Sequence, residues 1–459
     1  MRGGTAITSG QRIAVVGSGA AGLAAAWALS HRHDVHLYEA DSRLGGHANT
    51  VTVEGPKGPV AVDTGFIVYN EPNYPNLVQL LDQLGVESAA SDMSFAVSLD
   101  RGRYEYAGSP LGLFAQPSNA LVPSHWRLIA DALRFFKQGQ ALLAAGTASG
   151  TLGAFLDAGG YSKAFREKHL LPMAAAIWSS APGAIEAFPL ASFLRFFDNH
   201  GLLQTANRPL WRTLAGGSRS YVDAIAASLG PERLRLGQAV VQVEELDAGL
   251  KLTDSSGQSD SFDQVVLACH GDTALSILGD AATEPEHQIL GAFHYSRNEA
   301  LLHSDPSLMP RRRRVWSSWN YLAESDRLAP NDGLCVSYWM NRLQPLDPSF
   351  PLFVTLNAPR EPDPALLHGR YTYDHPLFDQ AALAAQQRLP EIQGQRRLWF
   401  CGSYCGYGFH EDALQAGFAV AASLGAPAPW ADAVTPRSPA AAAARPGLGP
   451  TGDAVLVGA

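Results

Sequence analysis

Cysteine is scarce in this sequence, and its few copies form no pattern typical of cross-links or metal ligands. The four cysteines are Cys269, Cys335, Cys401 and Cys405, and their spacing gives neither a disulfide framework nor paired CxxC motifs. Cys401 and Cys405 lie in a turn of small residues, where two thiols fit simple packing better than redox or metal chemistry. A reducing compartment is therefore expected.

Long apolar runs are also absent. No uninterrupted apolar segment approaches the roughly 20 residues that span a bilayer, and residues 1–10 lack the apolar core of a signal peptide. Because the net charge is −9, nucleic acid is not an expected partner. We expect a cytoplasmic protein, with peripheral membrane contact as an open alternative.

Several catalytic patterns are missing as well. The sequence has no paired carboxylates for acid–base catalysis, no nucleophile elbow and no cluster of zinc ligands. A reaction carried by an organic cofactor needs few protein catalysts. These absences fit a cofactor enzyme without a metal.

The sequence does contain a βαβ unit at residues 12–39. Residues 12–16 (RIAVV) predict a buried strand, residues 17–22 (GSGAAG) a tight turn, residues 23–29 a helix and residues 35–39 (VHLYE) a second strand. The turn glycines and the helix N-terminus suit a pyrophosphate. Glu39 lies twenty residues after Gly19, where a carboxylate accepts hydrogen bonds from ribose hydroxyls, so a dinucleotide without a 2′-phosphate is expected.

The residues after Glu39 make this prediction more specific. Residues 43–47 read RLGGH and residues 63–65 read DTG. Together with the βαβ unit, this order resembles the N-terminus of the flavin-containing amine oxidase and phytoene desaturase superfamily. The resemblance implies that FAD is the cofactor, that Arg43 meets its pyrophosphate, and that Gly45 and Gly46 run beside it.

Two later segments extend the resemblance. A GG turn at 216–217, a helix, a strand near Val240 and residues 262–270 (FDQVVLACH) follow the order of the superfamily's middle section, in which the residue matching Val240 holds the adenine through its backbone. Residues 400–417 (FCGSYCGYGFHEDALQAG) match the final turn and helix, whose N-terminus points at the flavin. Gly402 matches the family glycine, whereas Ser403 stands where the family usually has an acid.

These motifs define the candidate site. The residues assigned to FAD are Gly17, Gly19, Ala20, Ala21, Gly22, Glu39, Ala40, Arg43, Gly45, Gly46, His47, Val240, Gly402, Ser403, Glu411, Asp412 and Ala413. The candidate catalytic residues are His410, which would move a proton near the flavin, and Tyr404 and Tyr407, which would flank the substrate; a structural role for His410 stays open. The candidate substrate residues lie in an aromatic-rich stretch and are Trp316, Trp319, Tyr338 and Trp339.

The predicted fold is α/β, with a Rossmann-like FAD-binding domain interleaved with a mixed α+β substrate domain of helices and an antiparallel sheet. The FAD-binding domain is expected to comprise residues 10–108, 210–290 and 390–426, and the substrate domain residues 109–209 and 291–389. In the family, such a sheet forms the floor of the substrate pocket. Residues 427–459, which are rich in proline and alanine, predict a disordered tail.

One helix and one charge run each allow two interpretations. In the predicted helix 124–144, Trp126, Ile129, Leu133 and Phe136 share one face, which is expected to pack onto its own domain, with a membrane surface as the alternative. Residues 311–314 are consecutive arginines. They predict either a solvated turn or a site for a carboxylate or lipid phosphate at a pocket mouth.

Three functions compete. Superfamily amine oxidases usually place a lysine near the flavin, and no lysine follows Lys251, which disfavours amine oxidation. Residues 294–310 (HYSRNEALLHSDPSLMP) and 400–417 resemble a bacterial subgroup that includes methyl-branched fatty acid desaturases of furan fatty acid synthesis, with fatty acid isomerases and carotenoid or squalene-type desaturases as more distant relatives. The resemblance implies desaturation of an unsaturated, methyl-branched fatty acyl chain. A non-catalytic flavin-dependent lipid-binding protein or sensor stays open as the third function.

Overall fold

A computed structural model describes residues 10–178, 182–206, 208–325 and 335–434. Residues 435–459 of the predicted tail lie outside the described residues. The described chain combines parallel and antiparallel sheets with helices. This confirms the predicted α/β class.

The elements are numbered in chain order. The described strands are β1 (Arg12–Val16), β2 (Asp34–Glu39), β3 (Thr50–Gly55), β4 (Gly58–Asp63), β5 (Tyr69–Asn70), β6 (Ser88–Ser91), β7 (Phe95–Leu99), β8 (Tyr104–Ala107), β9 (Trp211–Leu214), β10 (Leu234–Leu236), β11 (Val240–Leu246), β12 (Gly249–Asp254), β13 (Ser259–Phe262), β14 (Gln264–Leu267), β15 (His294–His303), β16 (Trp319–Leu322), β17 (Val336–Trp339), β18 (Phe353–Leu356), β19 (Leu367–Leu377) and β20 (Leu398–Phe400). The described α-helices are α1 (Ala20–Ser30), α2 (Pro75–Leu84), α3 (Pro123–Ala145), α4 (Leu152–Ala158), α5 (Lys163–Phe165), α6 (Leu171–Trp178), α7 (Pro182–Glu186), α8 (Leu190–Asn199), α9 (Arg219–Leu229), α10 (Gly271–Leu278), α11 (Glu284–Leu290), α12 (Met340–Leu343), α13 (Gln380–Arg388) and α14 (His410–Ser423).

A five-stranded parallel sheet carries the predicted βαβ unit. Its spatial order is β10-β2-β1-β14-β20, and the central strand β1 is buried from Ile13 to Val16. Parallel strands covered on both faces read as continuous apolar runs, which is why residues 12–16 and 264–267 are readable as strands. Helix α1 begins at Ala20, three residues earlier than predicted, because Gly19 of the turn is already the N-cap residue of the helix.

Helices α1 and α14 pack closely against each other. A Cβ atom at Gly417 would lie 2.2 Å from the carbonyl oxygen of Ala21, so only glycine permits this approach. Helix α1 follows β1, and α14 follows β20 after a turn at residues 401–409. Both helix N-termini therefore lie at the carboxyl edge of the parallel sheet, where doubly wound folds bind ligands.

A seven-stranded mixed sheet forms the second core. Its order is β19-β15-β18-β17-β16-β7-β8. The hairpin β7–β8 was placed in the FAD-binding range 10–108, but its strand β7 pairs in parallel with β16 and so joins this second sheet. The remaining domain boundaries stay a prediction. Smaller sheets are formed by β3-β4, β11-β12-β13 and β5-β9-β6.

Helices α3 to α8 form a third cluster beside these sheets. The predicted helix 124–144 is confirmed as α3, but the face buried in its own domain contains Leu128, Ala132 and Phe135. On the predicted apolar face, Trp126 and Leu133 are each 52% exposed. The expectation that this face packs onto its own domain is therefore wrong for Leu133, whereas Trp126 contacts Phe114 of the same predicted domain, with ring centroids 5.1 Å apart. None of the described helices is long and apolar enough to cross a membrane.

Packed structure extends beyond residue 426. Trp430, which the sequence placed in a disordered tail, is buried and stacks on Trp27 of α1 with ring centroids 5.6 Å apart. Its indole nitrogen donates a hydrogen bond to Asn76 at 3.1 Å. The sequence around Trp430 is of low complexity, so this single buried aromatic residue was not recognised as part of the core. The expectation of a disordered tail is therefore wrong for residues 427–434.

Candidate functional site

The glycine turn after β1 brings backbone close to backbone. Gly17 has φ +99°, and a Cβ atom there would lie 2.9 Å from the carbonyl oxygen of Ala268. A Cβ atom at Gly22 would lie 1.8 Å from the Gly17 carbonyl oxygen. Gly19 differs, because a Cβ atom there meets nothing within 4 Å. The turn therefore packs closely against other backbone atoms at Gly17 and Gly22, whereas the space beside Gly19 is open.

The N-terminus of α1 opens beside this turn. Gly19 is the N-cap residue, no side chain caps the helix, and no acidic residue lies in its first turn. Ala20 and Ala21 line a large cavity. Uncapped N–H groups at the positive end of a helix are ready donors for phosphate oxygens. Gly19, Ala20 and Ala21 therefore form an uncapped helix end at the cavity, and their contact with a pyrophosphate stays a prediction.

Glu39 ends β2 next to the same turn. Its carboxylate accepts hydrogen bonds from the backbone N–H of Ser18 at 2.8 Å and of Asp41 at 2.9 Å. The Glu39 carbonyl accepts from Gln238, which brings Val240 of β11 near this strand end. Neither Glu39, Ala40 nor Val240 lines the cavity. Glu39 therefore holds the turn, and the ribose and adenine contacts stay predictions.

The second glycine loop packs onto the first. Arg43 donates a hydrogen bond to the Gly46 carbonyl at 2.9 Å, and a Cβ atom at Gly46 would lie 3.1 Å from the Cα atom of Gly19. Gly45 and His47 line the cavity. The glycine turn at residues 17–22 and the loop at residues 43–47, which lie apart in the sequence, therefore pack against each other beside the cavity.

The C-terminal turn closes this side of the cavity. Gly402, Ser403, Tyr404, His410 and Ala413 line it. The approach of this turn to the cofactor stays a prediction.

The carboxylates of α14 point elsewhere. Asp412 accepts from the backbone N–H of Phe409 at 2.9 Å and caps its own helix. Glu411 accepts from the backbone N–H groups of Asn76 and Leu77 at 2.8 and 3.1 Å, and so caps α2. Burial raises the pKa of Glu411 to about 8, while the Asn76 hydrogen bonds oppose the shift. Any contact of Glu411 or Asp412 with the cofactor would therefore be made by backbone, since their side chains serve as helix caps.

His410 is fixed between two aromatic rings. Its ring stacks on Phe66 with centroids 3.8 Å apart, and its Nε2 atom lies 2.9 Å from the hydroxyl oxygen of Tyr221. Burial lowers the pKa of His410 to about 3. The imidazole is therefore neutral at pH 7, and its environment suits fixed orientation better than storage of a proton.

The two candidate tyrosines lie in different places. Tyr404 lines the cavity, and its buried hydroxyl has no hydrogen-bond partner among the described residues. Tyr407 does not line the cavity. A buried hydroxyl without a protein partner is costly unless a ligand satisfies it. This orphan group supports a ligand contact for Tyr404 and leaves the role of Tyr407 a prediction.

The cavity has a volume of about 960 Å³ and extends from the glycine loops into the second sheet and the helices. Of the candidate substrate residues, Trp319 and Tyr338 line it, with ring centroids 4.9 Å apart. Trp316 and Trp339 do not line it; they pack with Met309 and Phe353 behind the sheet. Consecutive residues of a strand face opposite sides, so Tyr338 and Trp339 cannot both reach the cavity.

Sequence reasoning missed most of the cavity wall. Ile129, Leu133 and Phe136 of α3 line it, together with Met173 and Ile177 of α6. The helical spacing of the α3 residues was visible in the sequence, but their partner was not. Three of the four residues of the predicted apolar face of α3 therefore line the cavity, and Trp126 does not.

Besides His410, five histidines line the cavity, namely His47, His169, His200, His270 and His375. The rings of His47 and His375 lie 5.4 Å apart, and His270 stacks on Tyr295 at 4.0 Å. Burial lowers the pKa of His47 to about 3 and that of His375 to about 4. The site is thus rich in neutral imidazoles. Within the described ranges, no group of three or more potential ligands is arranged to hold a metal ion.

The arginine run lies away from the cavity. Arg312 pairs with the buried Glu105 at 2.8 Å, and Arg313 covers the Trp316 ring at 4.9 Å. None of residues 311–314 lines the cavity. The interpretation as an anion site at the pocket mouth is therefore wrong, because Glu105 and Trp316 hold the run on the outer side of the seven-stranded sheet.

Comparison with known proteins fits this geometry. Residues 20–298, more than half of the chain, match the model of the flavin-containing amine oxidoreductase family. Protoporphyrinogen oxidase 2 (chloroplastic/mitochondrial) of Arabidopsis thaliana is 34% identical over 117 residues, which are 25% of this chain. The match spans only 22% of that relative's length.

Solved structures show the same fold over most of the chain. The CLA-producing fatty acid isomerase from P. acnes superposes with a TM-score of 0.64 at 17% identity, covering 90% of this chain and 98% of that one. Cyclohexylamine oxidase from Brevibacterium oxydans superposes with a TM-score of 0.66 at 16% identity and the same coverage. At these identities the likeness concerns the fold alone.

Proposed function

The chain belongs to the flavin-containing amine oxidoreductase family, and from that premise we propose that it dehydrogenates an unsaturated, methyl-branched fatty acyl chain. Family membership makes it an FAD-dependent oxidoreductase, as the sequence predicted. The substrate is the proposed part. Its main support is the apolar wall that α3 and α6 give to the cavity.

The residues at the carboxyl edge of the parallel sheet fit FAD. The uncapped N-terminus of α1 and the open space at Gly19 suit a pyrophosphate, and Arg43 lies in the adjoining loop. Tyr404, whose buried hydroxyl has no hydrogen-bond partner among the described residues, lines the same cavity. When bound, FAD accepts a hydride at its N5 atom.

The remaining groups of the cavity prepare the substrate. Ile129, Phe136 and Met173 exclude water and hold an acyl chain by burial of its methylene groups, at about 0.8 kcal/mol for each group. His47 and His375 are neutral at pH 7 because burial lowers their pKa. They can accept a hydrogen bond in the cavity without adding charge to it.

The charges of the cavity give an amine little to bind. Its two carboxylates, Asp92 and Asp374, are already paired, the first with Arg342 at 3.0 Å and the second with Arg297 at 3.2 Å. A substrate ammonium would have to compete with these arginines. This favours a neutral or acidic amphiphile over an amine.

We also propose that the substrate enters from a membrane surface. Leu111 and Leu121 are 90% and 85% exposed, and Leu133 is exposed while it also lines the cavity. Pro110 and Leu113, on either side of Leu111, line the cavity as well. Exposed leucines beside an apolar opening are typical of membrane contact.

Vesicle binding tests the membrane contact. Sedimentation with phospholipid vesicles should fall for the double variant Leu111→Asn and Leu121→Asn. Leu246→Asn, at an exposed leucine of β11, is the matched control and should sediment like the wild type. Equal sedimentation of all three proteins would contradict the membrane proposal.

Product analysis tests the reaction. The holoprotein is incubated in air with a methyl-branched monounsaturated acyl lipid, and the chain is examined by mass spectrometry for loss of two hydrogens. A saturated straight-chain lipid is the control and should stay unchanged. Unchanged lipids in both reactions would contradict the proposed function and favour a lipid-binding role.

A further inference from the structure

We propose that Arg208 and His169 form a subsite for the carboxyl group of a free fatty acid. The inference rests on the proposed function, because it names the polar end of the same acyl substrate. Both residues line the cavity, and both belong to the helical region rather than to the glycine loops. No motif of the sequence pointed to either of them.

Arg208 is a cation without an anionic partner among the described residues. Its Nε atom donates to the Gln204 carbonyl at 2.9 Å, and no acidic group raises its pKa. Desolvation lowers that pKa although the residue is exposed. Arg208 is thus an exposed side chain that also lines the cavity. The terminal guanidinium nitrogens are left to bind an oxygen ligand.

The hydrogen bonds around His169 fix its tautomer. Tyr106 donates its hydroxyl proton to the Lys168 carbonyl at 2.8 Å, and the same hydroxyl oxygen lies 2.9 Å from Nδ1 of His169. Because the tyrosine proton is already used, Nδ1 must carry the hydrogen of the neutral ring. Nε2 therefore presents a lone pair. This atom is buried and has no hydrogen-bond partner among the described residues.

A carboxyl group satisfies both residues at once. One of its oxygens accepts from the Arg208 guanidinium, and the acid proton lies between its other oxygen and Nε2 of His169. Arg208 and His169 line the same cavity, and burial together with the charge of Arg208 lowers the pKa of His169. No covalent bond breaks, and the acid keeps or shares its own proton. A neutral ester could use only one of the two partners.

Binding of oleic acid and methyl oleate to the holoprotein tests the subsite. Arg208→Gln should weaken oleic acid about tenfold or more, the usual loss for a charged hydrogen bond. It should weaken methyl oleate by less than about threefold, because the ester carbonyl is a weaker acceptor for this arginine. Arg208→Lys should restore part of the preference for the acid. Arg195→Gln removes an exposed arginine of α8 outside the cavity and is the matched control.

His169→Phe provides the second variant. It keeps the aromatic packing and removes the lone pair, so oleic acid should bind more weakly while methyl oleate is unaffected. Near-UV circular dichroism confirms that both variants are folded. Equal effects on acid and ester, or no effect on either, would overturn the subsite.

The same experiment distinguishes a free fatty acid from a phospholipid as the ligand. It also distinguishes failure of the subsite from failure of the proposed function. Lysophosphatidylglycerol is a third ligand, and a loss for this lipid without a loss for oleic acid would also overturn the carboxyl assignment. Arg208-dependent binding of oleic acid in a protein that never dehydrogenates any lipid would keep the subsite and reject the proposed function. Dehydrogenation that is insensitive to Arg208→Gln would do the reverse.

Discussion

The cavity is bounded on one side by backbone at glycine turns and on the other by side chains from helices and a mixed sheet. On the first side, Gly17, Gly22 and Gly46 approach other backbone atoms so closely that a Cβ atom would force a shift or a tight contact. On the second side, Ile129, Phe136 and other side chains form the wall. The first side leaves little freedom to the sequence, whereas the second accepts many apolar residues of similar volume.

The largest effect is expected on the glycine side. Gly22→Ala places a Cβ atom 1.8 Å from the Gly17 carbonyl oxygen and should cost more than about 3 kcal/mol of unfolding free energy. Gly19→Ala meets no protein atom within 4 Å, so the apoprotein should fold normally but bind FAD about 5- to 150-fold more weakly, as for about 1–3 kcal/mol of overpacking against the ligand. Urea unfolding of the apoproteins and titration with FAD measure both.

The proposed difference between Gly22 and Gly19 would be contradicted if either variant behaved like the wild-type protein. Equal stability of the Gly22→Ala and wild-type apoproteins would mean that the turn can relax. Unchanged FAD affinity of Gly19→Ala would mean that the pyrophosphate does not approach this backbone.

Such local geometry is what the sequence could predict. The positions of Gly17, Gly19 and Gly22 are fixed by a strand, a turn and a helix within one short segment, so spacing along the chain determines spacing in the fold. The opposite faces of Tyr338 and Trp339 also follow from strand alternation, although the prediction grouped both with the substrate.

Tertiary neighbours were beyond the sequence. The use of Glu411 as a cap for α2 depends on packing of segments more than 300 residues apart, since Glu411 bonds to Asn76 across 335 positions. Arg208 lies in an irregular connection without periodicity, and only the fold places it on the same cavity as His169. Trp430 is equally isolated within a stretch of low complexity.

The next largest effect is expected in the pH dependence of folding stability, which reflects the buried histidines of the cavity. Burial lowers the pKa of His410 to about 3, against about 6.5 in the unfolded chain. Below pH 6.5 the His410 imidazole binds a proton in the unfolded state but stays neutral in the folded state. The free energy of unfolding therefore falls as the pH decreases toward 3. At pH 5 this single group should cost the apoprotein about 2 kcal/mol.

His410→Gln should therefore flatten the acid side of the stability curve. Thermal unfolding of the apoproteins between pH 5 and pH 8 measures the slope. His294→Gln, at an exposed histidine outside the cavity, is the control and should keep the wild-type slope. A His410→Gln slope equal to that of the wild type would show that this imidazole is not held in its neutral form.

A smaller effect is expected on the side-chain wall. Phe136→Ala should leave FAD content unchanged and lower kcat/KM for the acyl substrate about tenfold, which corresponds to about 1.4 kcal/mol of lost apolar contact. Trp126→Ala changes an aromatic residue of the same helix that does not line the cavity, and kcat/KM should stay within about twofold. Loss of FAD from the Phe136→Ala protein would contradict the division between the two sides.

The smallest effect is expected for Tyr404→Phe in the apoprotein. The hydroxyl has no hydrogen-bond partner among the described residues, so its removal should change the unfolding free energy by less than about 1 kcal/mol. In the holoprotein the same variant should shift the flavin absorption spectrum if the hydroxyl contacts the cofactor. Identical spectra would place the hydroxyl on the substrate or on neither ligand.

Anaerobic spectroscopy of the purified holoprotein tests the central claim most directly. The flavin absorption near 450 nm is recorded before and after addition of a lipid that carries an unsaturated, methyl-branched acyl chain, with a saturated straight-chain lipid and an aliphatic amine as controls. The account predicts bleaching by the branched lipid and by neither control. Bleaching by the amine alone, or a flavin that no lipid reduces, would contradict it.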